Sequence, residues 1–94
     1  MLNMYEGTKF QAQYDELAPD WANVPERVAD WAQWYVIDED GSASYWEQEP
    51  ITRVNFWTDK DECGKMEVAA NGKQKIPVGI DWRACKWQRT QVQP

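Results

Sequence analysis

The residues able to carry reaction chemistry are few and poorly partnered. Asp38, Glu39 and Asp40 precede Gly41, Glu47 and Glu49 sit two apart, and Asp59, Asp61 and Glu62 crowd a charged run. Cys63 and Cys85 are the only thiols, and the chain contains no His at all. Calcium binding by an EF-hand-type loop needs further acidic ligands before the Gly and a bidentate Glu beyond it, a register that Asp38–Gly41 does not continue. The reading for that cluster is a solvated turn. Paired carboxylates would suit a glycosidase, but 94 residues leave little room for a deep cleft that raises the pKa of one of them. A cysteine nucleophile would have only Lys or Arg to lower its pKa. The expectation is therefore no enzyme, no cofactor and no bound metal.

Charge and composition narrow the partners. Sixteen Asp and Glu against ten Lys and Arg give a net charge of −6. No basic stripe offers a phosphate backbone a track, so no nucleic acid is expected. No apolar run reaches the length of a membrane span. The first residues lack a basic stretch followed by an apolar one, and two cysteines are too few for a disulfide scaffold. This combination reads as a cytoplasmic chain with two reduced thiols, a single Cys63–Cys85 bridge staying open. Seven Trp are an unusual load for this size. Burying all seven would fill most of a small core, so one or two exposed rings are expected, and exposed rings are candidate contacts.

The elements that must position these residues follow from pattern. Phe10, Tyr14 and Leu17 recur at helical spacing, with Thr8 before them and Pro19 to stop the helix. Asn23, Pro25 and Glu26 open one further helical turn. The aromatic and β-branched run Trp31–Ile37, the turn Asp38–Ser42 and the run Ala43–Glu49 form a hairpin around Asp40-Gly41. A two-residue turn there sets Tyr35 opposite Trp46 and Val36 opposite Tyr45. One face then carries Trp31, Tyr35, Ile37 and Trp46, the other Trp34, Val36 and Tyr45. Both are apolar, so both are expected to be covered. A third strand is expected over Ile51–Trp57, followed by a charged loop at residues 59–62. An edge hairpin is expected around Asn71-Gly72, with Lys73 and Lys75 discouraging further pairing. Asp81 is placed to cap a helix over 81–89 whose basic residues lie toward its C-terminal end. The fold class is thus α+β: an antiparallel sheet of three to five strands with one or two short helices. The chain reads as one domain over residues 1–94, with 1–8 and 90–94 loosely ordered.

Three stretches together carry a resemblance. Trp21-Ala22-Asn23-Val24-Pro25, the aromatics around Asp38-Glu39-Asp40-Gly41 with Tyr45-Trp46 and Pro50, and Gly79-Ile80-Asp81-Trp82-Arg83 resemble small accessory proteins of tailed bacteriophages. The likeness covers about two-thirds of the chain. It departs at the end, where Cys85 replaces a small polar residue and Arg89-Thr90 stands in place of Arg-Pro. What the resemblance implies is a setting, the cytoplasm of an infected bacterium, rather than a reaction.

The candidate binding residues are Trp34, Tyr45, Glu47, Trp57 and Trp87, with Arg53, Arg83, Lys86 and Arg89 as the cations available to an anionic ligand. The leading expectation is a small acidic binding protein that docks on and inhibits a host protein, a defence or nucleic-acid-processing factor. A small-ligand binder that sequesters a nucleotide signal or a sugar is the alternative, and a virion or assembly component a further one. Apolar character on both hairpin faces also leaves a homodimer open.

Overall fold

The computed structural model describes residues 4–59, 64–70 and 72–89. The chain is α+β, as its pattern implies. Helix α1 spans Gln11–Leu17 and α2 Glu26–Ala29. Strands β1 (Trp34–Ile37), β2 (Ala43–Trp46), β5 (Met66–Val68) and β6 (Lys86–Gln88) form one antiparallel sheet in the order β5-β2-β1-β6. Strands β3 (Pro50–Thr52) and β4 (Trp57–Asp59) pair as a separate two-stranded sheet.

Local chemistry explains the helical parts. The Thr8 hydroxyl accepts from the Phe10 N–H and donates to the Tyr5 carbonyl, which fixes the entry to α1. Ala18, forced extended by the following Pro19, ends the helix. Tyr14 and Leu17 point into the core, and Val28 of α2 is wholly buried. Tyr5 is buried too, and its hydroxyl accepts from the Asp81 N–H at 2.7 Å. Residues 1–3 and 90–94 lie outside the described residues.

The central hairpin forms, but one residue out of the expected register. Tyr35 faces Tyr45, and Trp34 faces Trp46. The cause is the turn. Asp38 N–H donates to Ser42 O, Gly41 N–H donates to Asp38 O, and three residues (39–41) form the loop instead of two. Gly41 takes φ +91°, the left-handed position that closes such a three-residue connection. A one-residue slip exchanges the faces of β2. One face of the sheet therefore carries Tyr35, Ile37, Ala43 and Tyr45, packed with Tyr14, Leu17, Val28 and Cys85. The other carries Val36 and Trp46, packed with Trp57 and Trp82. Both faces are covered, as their apolar character requires.

Three expected elements are corrected. The strand over Ile51–Trp57 instead reverses at Val54-Asn55: Arg53 N–H donates to Phe56 O, and Thr52 faces Trp57. Asn at a turn centre is the signal for this reversal. Around residues 71–72 only β5 is a strand. Lys73–Ile76 form no strand, although Gln74 N–H donates to Gly41 O. Asn71 lies outside the described residues. The helix over 81–89 is replaced by a single 3₁₀ turn, Trp82–Ala84, and by β6. Asp81 does cap that turn, its carboxylate accepting from Arg83 N–H. Beyond it the alternation of Cys85 and Trp87 with Lys86 and Gln88 fits a strand, and β1 had an edge to offer. Pairing outweighed helix propensity.

The expected exposed indoles are also corrected. Trp46, Trp57 and Trp82 are buried, Trp21, Trp31, Trp34 and Trp87 are half-buried, and none stands free. Two cores, one on each face of the sheet, hold more aromatic surface than one would. On one face the rings of Phe10, Tyr5, Tyr14, Trp87, Tyr35, Tyr45 and Trp21 follow one another at centroid distances of 5.0 to 6.3 Å.

A Cβ at Gly41 would run into the main-chain oxygen of Gln74, besides facing the cost of positive φ. Gly41→Ala is expected to destabilise the protein by about 2 kcal/mol or more, read as a lowered urea midpoint. An unchanged midpoint would contradict this account of the turn.

Candidate functional site

The carboxylate-rich turn is internally satisfied. Asp38 accepts from Trp57 N–H at 3.1 Å, Asp40 accepts from Ser42 N–H at 2.9 Å, and Asp40 also pairs with Lys73 at 3.6 Å. Burial raises the Asp38 pKa, opposed by that N–H bond, while the Ser42 N–H lowers the pKa of Asp40. Among the described residues no group of three metal-ligating side chains comes together. Asp59 is buried at the end of β4 and accepts from Gly64 N–H. Asp61, Glu62 and Cys63 lie outside the described residues.

Cys85 is a free thiol at the heart of one core. Burial, aided by the charge of Asp81, pushes its pKa up to about 12. A thiol so buried packs as a small apolar group.

Several residues singled out in the sequence are engaged in holding the fold. Tyr45 is only 9% exposed and Trp57 5%, so neither presents a contact surface. The Trp57 indole donates to the Ile37 carbonyl at 2.9 Å and meets Trp82 edge-on. Glu47 accepts from Lys65 N–H, tying β2 to the start of β5. Arg89 donates to the carbonyls of Ala29 and Ala32 at 2.6 and 3.2 Å, satisfying the end of α2. Arg53 stands exposed at the β3–β4 turn, apart from the other three cations.

The remaining four converge. Trp34, Trp87, Arg83 and Lys86 line one groove of about 720 Å³ along β6, with Tyr14, Asp15 and Gln88 among its other lining residues. Lys86 reaches across the sheet face, its ammonium 5.4 Å from the Trp34 ring, 5.6 Å from that of Trp57 and 2.8 Å from Glu49. Arg83 stacks over Trp82 at 5.0 Å and pairs loosely with Asp81 at 3.6 Å. Ion pairs of this exposed kind are worth at most about 1 kcal/mol, so either cation is available to an incoming anion.

A second surface was not legible as a site. Residue exposure reaches 86% at Val54, 44% at Phe56 and 36% at Ile51, all on the β3–β4 hairpin. The signal lay in Val54-Asn55, which reads as strand until the turn is recognised. The hairpin is anchored from beneath by buried Pro50, Trp57 and Asp59.

The chain matches no protein-family model, no curated protein and no solved structure. Among the described residues no helix is long and apolar enough to cross a membrane.

Burial pushes the pKa of Tyr14 up to about 12, with the nearby Cys85, Tyr5 and Asp15 adding to the rise. Its hydroxyl donates to the Ala84 carbonyl at 2.6 Å. The folded chain holds the Tyr14 and Cys85 protons to about pH 12, whereas the unfolded chain releases them from ordinary values of 10.0 and 9.0 respectively. The stability they contribute is complete below about pH 9 and is lost as pH rises toward 12. Urea midpoints are expected to fall through that window. Cys85 is expected to resist thiol reagents until the protein is unfolded. Rapid native labelling of Cys85, or a midpoint flat across the window, would contradict the burial.

Proposed function

We propose that this chain is a non-enzymatic binding protein that docks on another protein, with the tip of the β3–β4 hairpin as its contact. The observation that carries this reading is the set Ile51, Val54 and Phe56, held out to solvent on a hairpin whose own base is buried. Apolar side chains grouped at an exposed tip are what a partner's pocket would take up, and an aromatic among them is a natural anchor. Arg53 stands beside them.

Charge supports a particular kind of partner. With a net charge of −6, the chain is steered toward a basic surface, and the apolar tip then supplies the short-range contact. The lack of His, the Asp38 and Asp40 carboxylates tied to main-chain N–H groups and the buried Cys85 favour binding over catalysis. The phage-like stretches motivate the setting, a host protein in the cytoplasm of an infected bacterium, which docking would block.

The test has two stages. Tagged protein is used to capture partners from bacterial lysate, and each candidate is then purified and titrated calorimetrically against the wild type and against Val54→Ser/Phe56→Ala. Both side chains are exposed, so the variant is expected to fold, which circular dichroism checks. The expected result is a partner with a basic surface whose affinity falls at least about tenfold in the variant. Its association should slow as salt is raised. Equal affinity of variant and wild type for every purified partner would overturn the assignment of the tip.

A further inference from the structure

The outer edge of β6 offers a second kind of contact. Ile37 N–H donates to Cys85 O and Arg89 N–H donates to Gln33 O, so Cys85, Trp87 and Arg89 turn their main-chain groups toward β1. Alternation then turns the N–H and C=O of Lys86 and Gln88 outward. Strand β6 is the last of its sheet, and no described residue pairs with that outer side.

Natural edges are commonly blunted by Pro, by a bulge or by a Lys held over the strand. Lys86–Gln88 contains neither Pro nor an irregular pairing. Its one lysine is drawn over Trp34 and Trp57 toward Glu49. The edge is also set within a groove. Tyr14 and Asp15 of α1 line it on one side, and Trp34, Arg83, Ala84, Lys86, Trp87 and Gln88 line it along β1 and β6. An added strand lies about 4.8 Å from its neighbour, with side chains alternating to either side.

We propose that the β6 edge receives an extended segment of a partner protein, which joins the sheet as a fifth strand and sets an acidic side chain against Arg83 and Lys86. Charge selects the occupant. In a chain of net charge −6, this groove is lined by two cations and the single carboxylate of Asp15. Glu49 and Asp81 pair Lys86 and Arg83 from outside the lining, in exposed ion pairs that an incoming carboxylate can replace. A second copy of the chain would bring the same cations and the same net charge to both sides. On the other side of the edge the alternate residues of the segment meet the half-buried ring of Trp87, which suits apolar side chains. The inference rests on the reading of this chain as a protein-binding module, but concerns a surface distinct from the hairpin tip.

The experiment is selection from a random-peptide display library on the full chain, followed by calorimetry with synthetic copies of the enriched peptides and by amide exchange measured by NMR. The expected peptides alternate apolar and acidic residues, and their binding slows exchange at Lys86 and Gln88. Gln88→Pro removes the outward N–H and leaves the ladder to β1 intact, so it is expected to weaken binding at least about tenfold. Arg83→Glu should weaken the acidic peptides by about as much. Should Gln88→Pro fail to fold, peptides N-methylated at alternate residues test the same hydrogen bonds from the other side, and must lose binding. Val54→Ser/Phe56→Ala is expected to leave peptide affinity unchanged, so loss of one surface is distinguishable from loss of the other. The proposal is overturned if no peptide is enriched, or if binding is indifferent to both Gln88→Pro and N-methylation. It is equally overturned if the free chain sediments as a dimer with the Lys86 and Gln88 amides already protected. Occupation of the groove by a small planar anion, with adenosine monophosphate as the probe, while those amides stay unprotected would overturn it as well.

Discussion

Strand β1 is buried from both sides, and the rest of the molecule is arranged around that constraint. Val36 and Ile37 are consecutive in the chain, point to opposite faces of the sheet, and are both wholly buried. A strand in this position cannot slide, because a shift of one residue would exchange two different cores. It also requires cover on each face. The helices, the N-terminal aromatics and Trp87 supply one layer, and the β3–β4 hairpin with Trp82 supplies the other. A small chain gains two thin cores in this way instead of one thick one. Seven indoles can then be shared between them, with three sealed and four lying along the seams.

The same arrangement decides which polar groups are left for function. Side chains that look available in the sequence close the ends and corners of the fold: Arg89 on the last carbonyls of α2, Asp81 on the 3₁₀ turn, Glu47 on the neighbouring strand, Asp38 on β4. Each satisfies a main-chain group that would otherwise be costly to leave unpaired near a core. What remains lies where the cores end. The tip of the β3–β4 hairpin reaches past its own buried base, and β6 ends the sheet with its outer main-chain groups unpaired among the described residues. Both surfaces are consequences of fitting a two-sided sheet into so few residues.

Where the chemistry is local, the reading of the sequence and the structure agree. The short helix before Pro19, the turn of helix after Pro25, the presence though not the register of the hairpin at Asp40-Gly41, and the Asp81 cap, though on a 3₁₀ turn rather than a helix, each depend on residues within a few positions of one another. Agreement fails where a partner distant in the chain intervenes. The segment after Asp81 has a cap, basic residues and helical spacing, yet it becomes a strand because β1 lies alongside. The run Ile51–Trp57 is rich in β-formers and still folds back on itself, which lets Trp57 reach the Ile37 carbonyl. Of the candidate contact residues, Trp34, Trp87, Arg83 and Lys86 were found by type and meet in one groove. Tyr45 and Trp57, of the same residue types, are interior.

The amino-acid sequence alone determined the class of the fold, the two-faced character of its central hairpin and the acidic, His-free composition. These depend on period, composition and nearest neighbours, which a linear chain displays openly. Tertiary structure alone decided the register of β2, the conversion of residues 86–88 to a strand, and which rings and cations stand at a surface. Those depend on a single glycine's dihedral angle and on contacts across dozens of residues, where several pairings have similar local merit and only the packing of both cores together selects one.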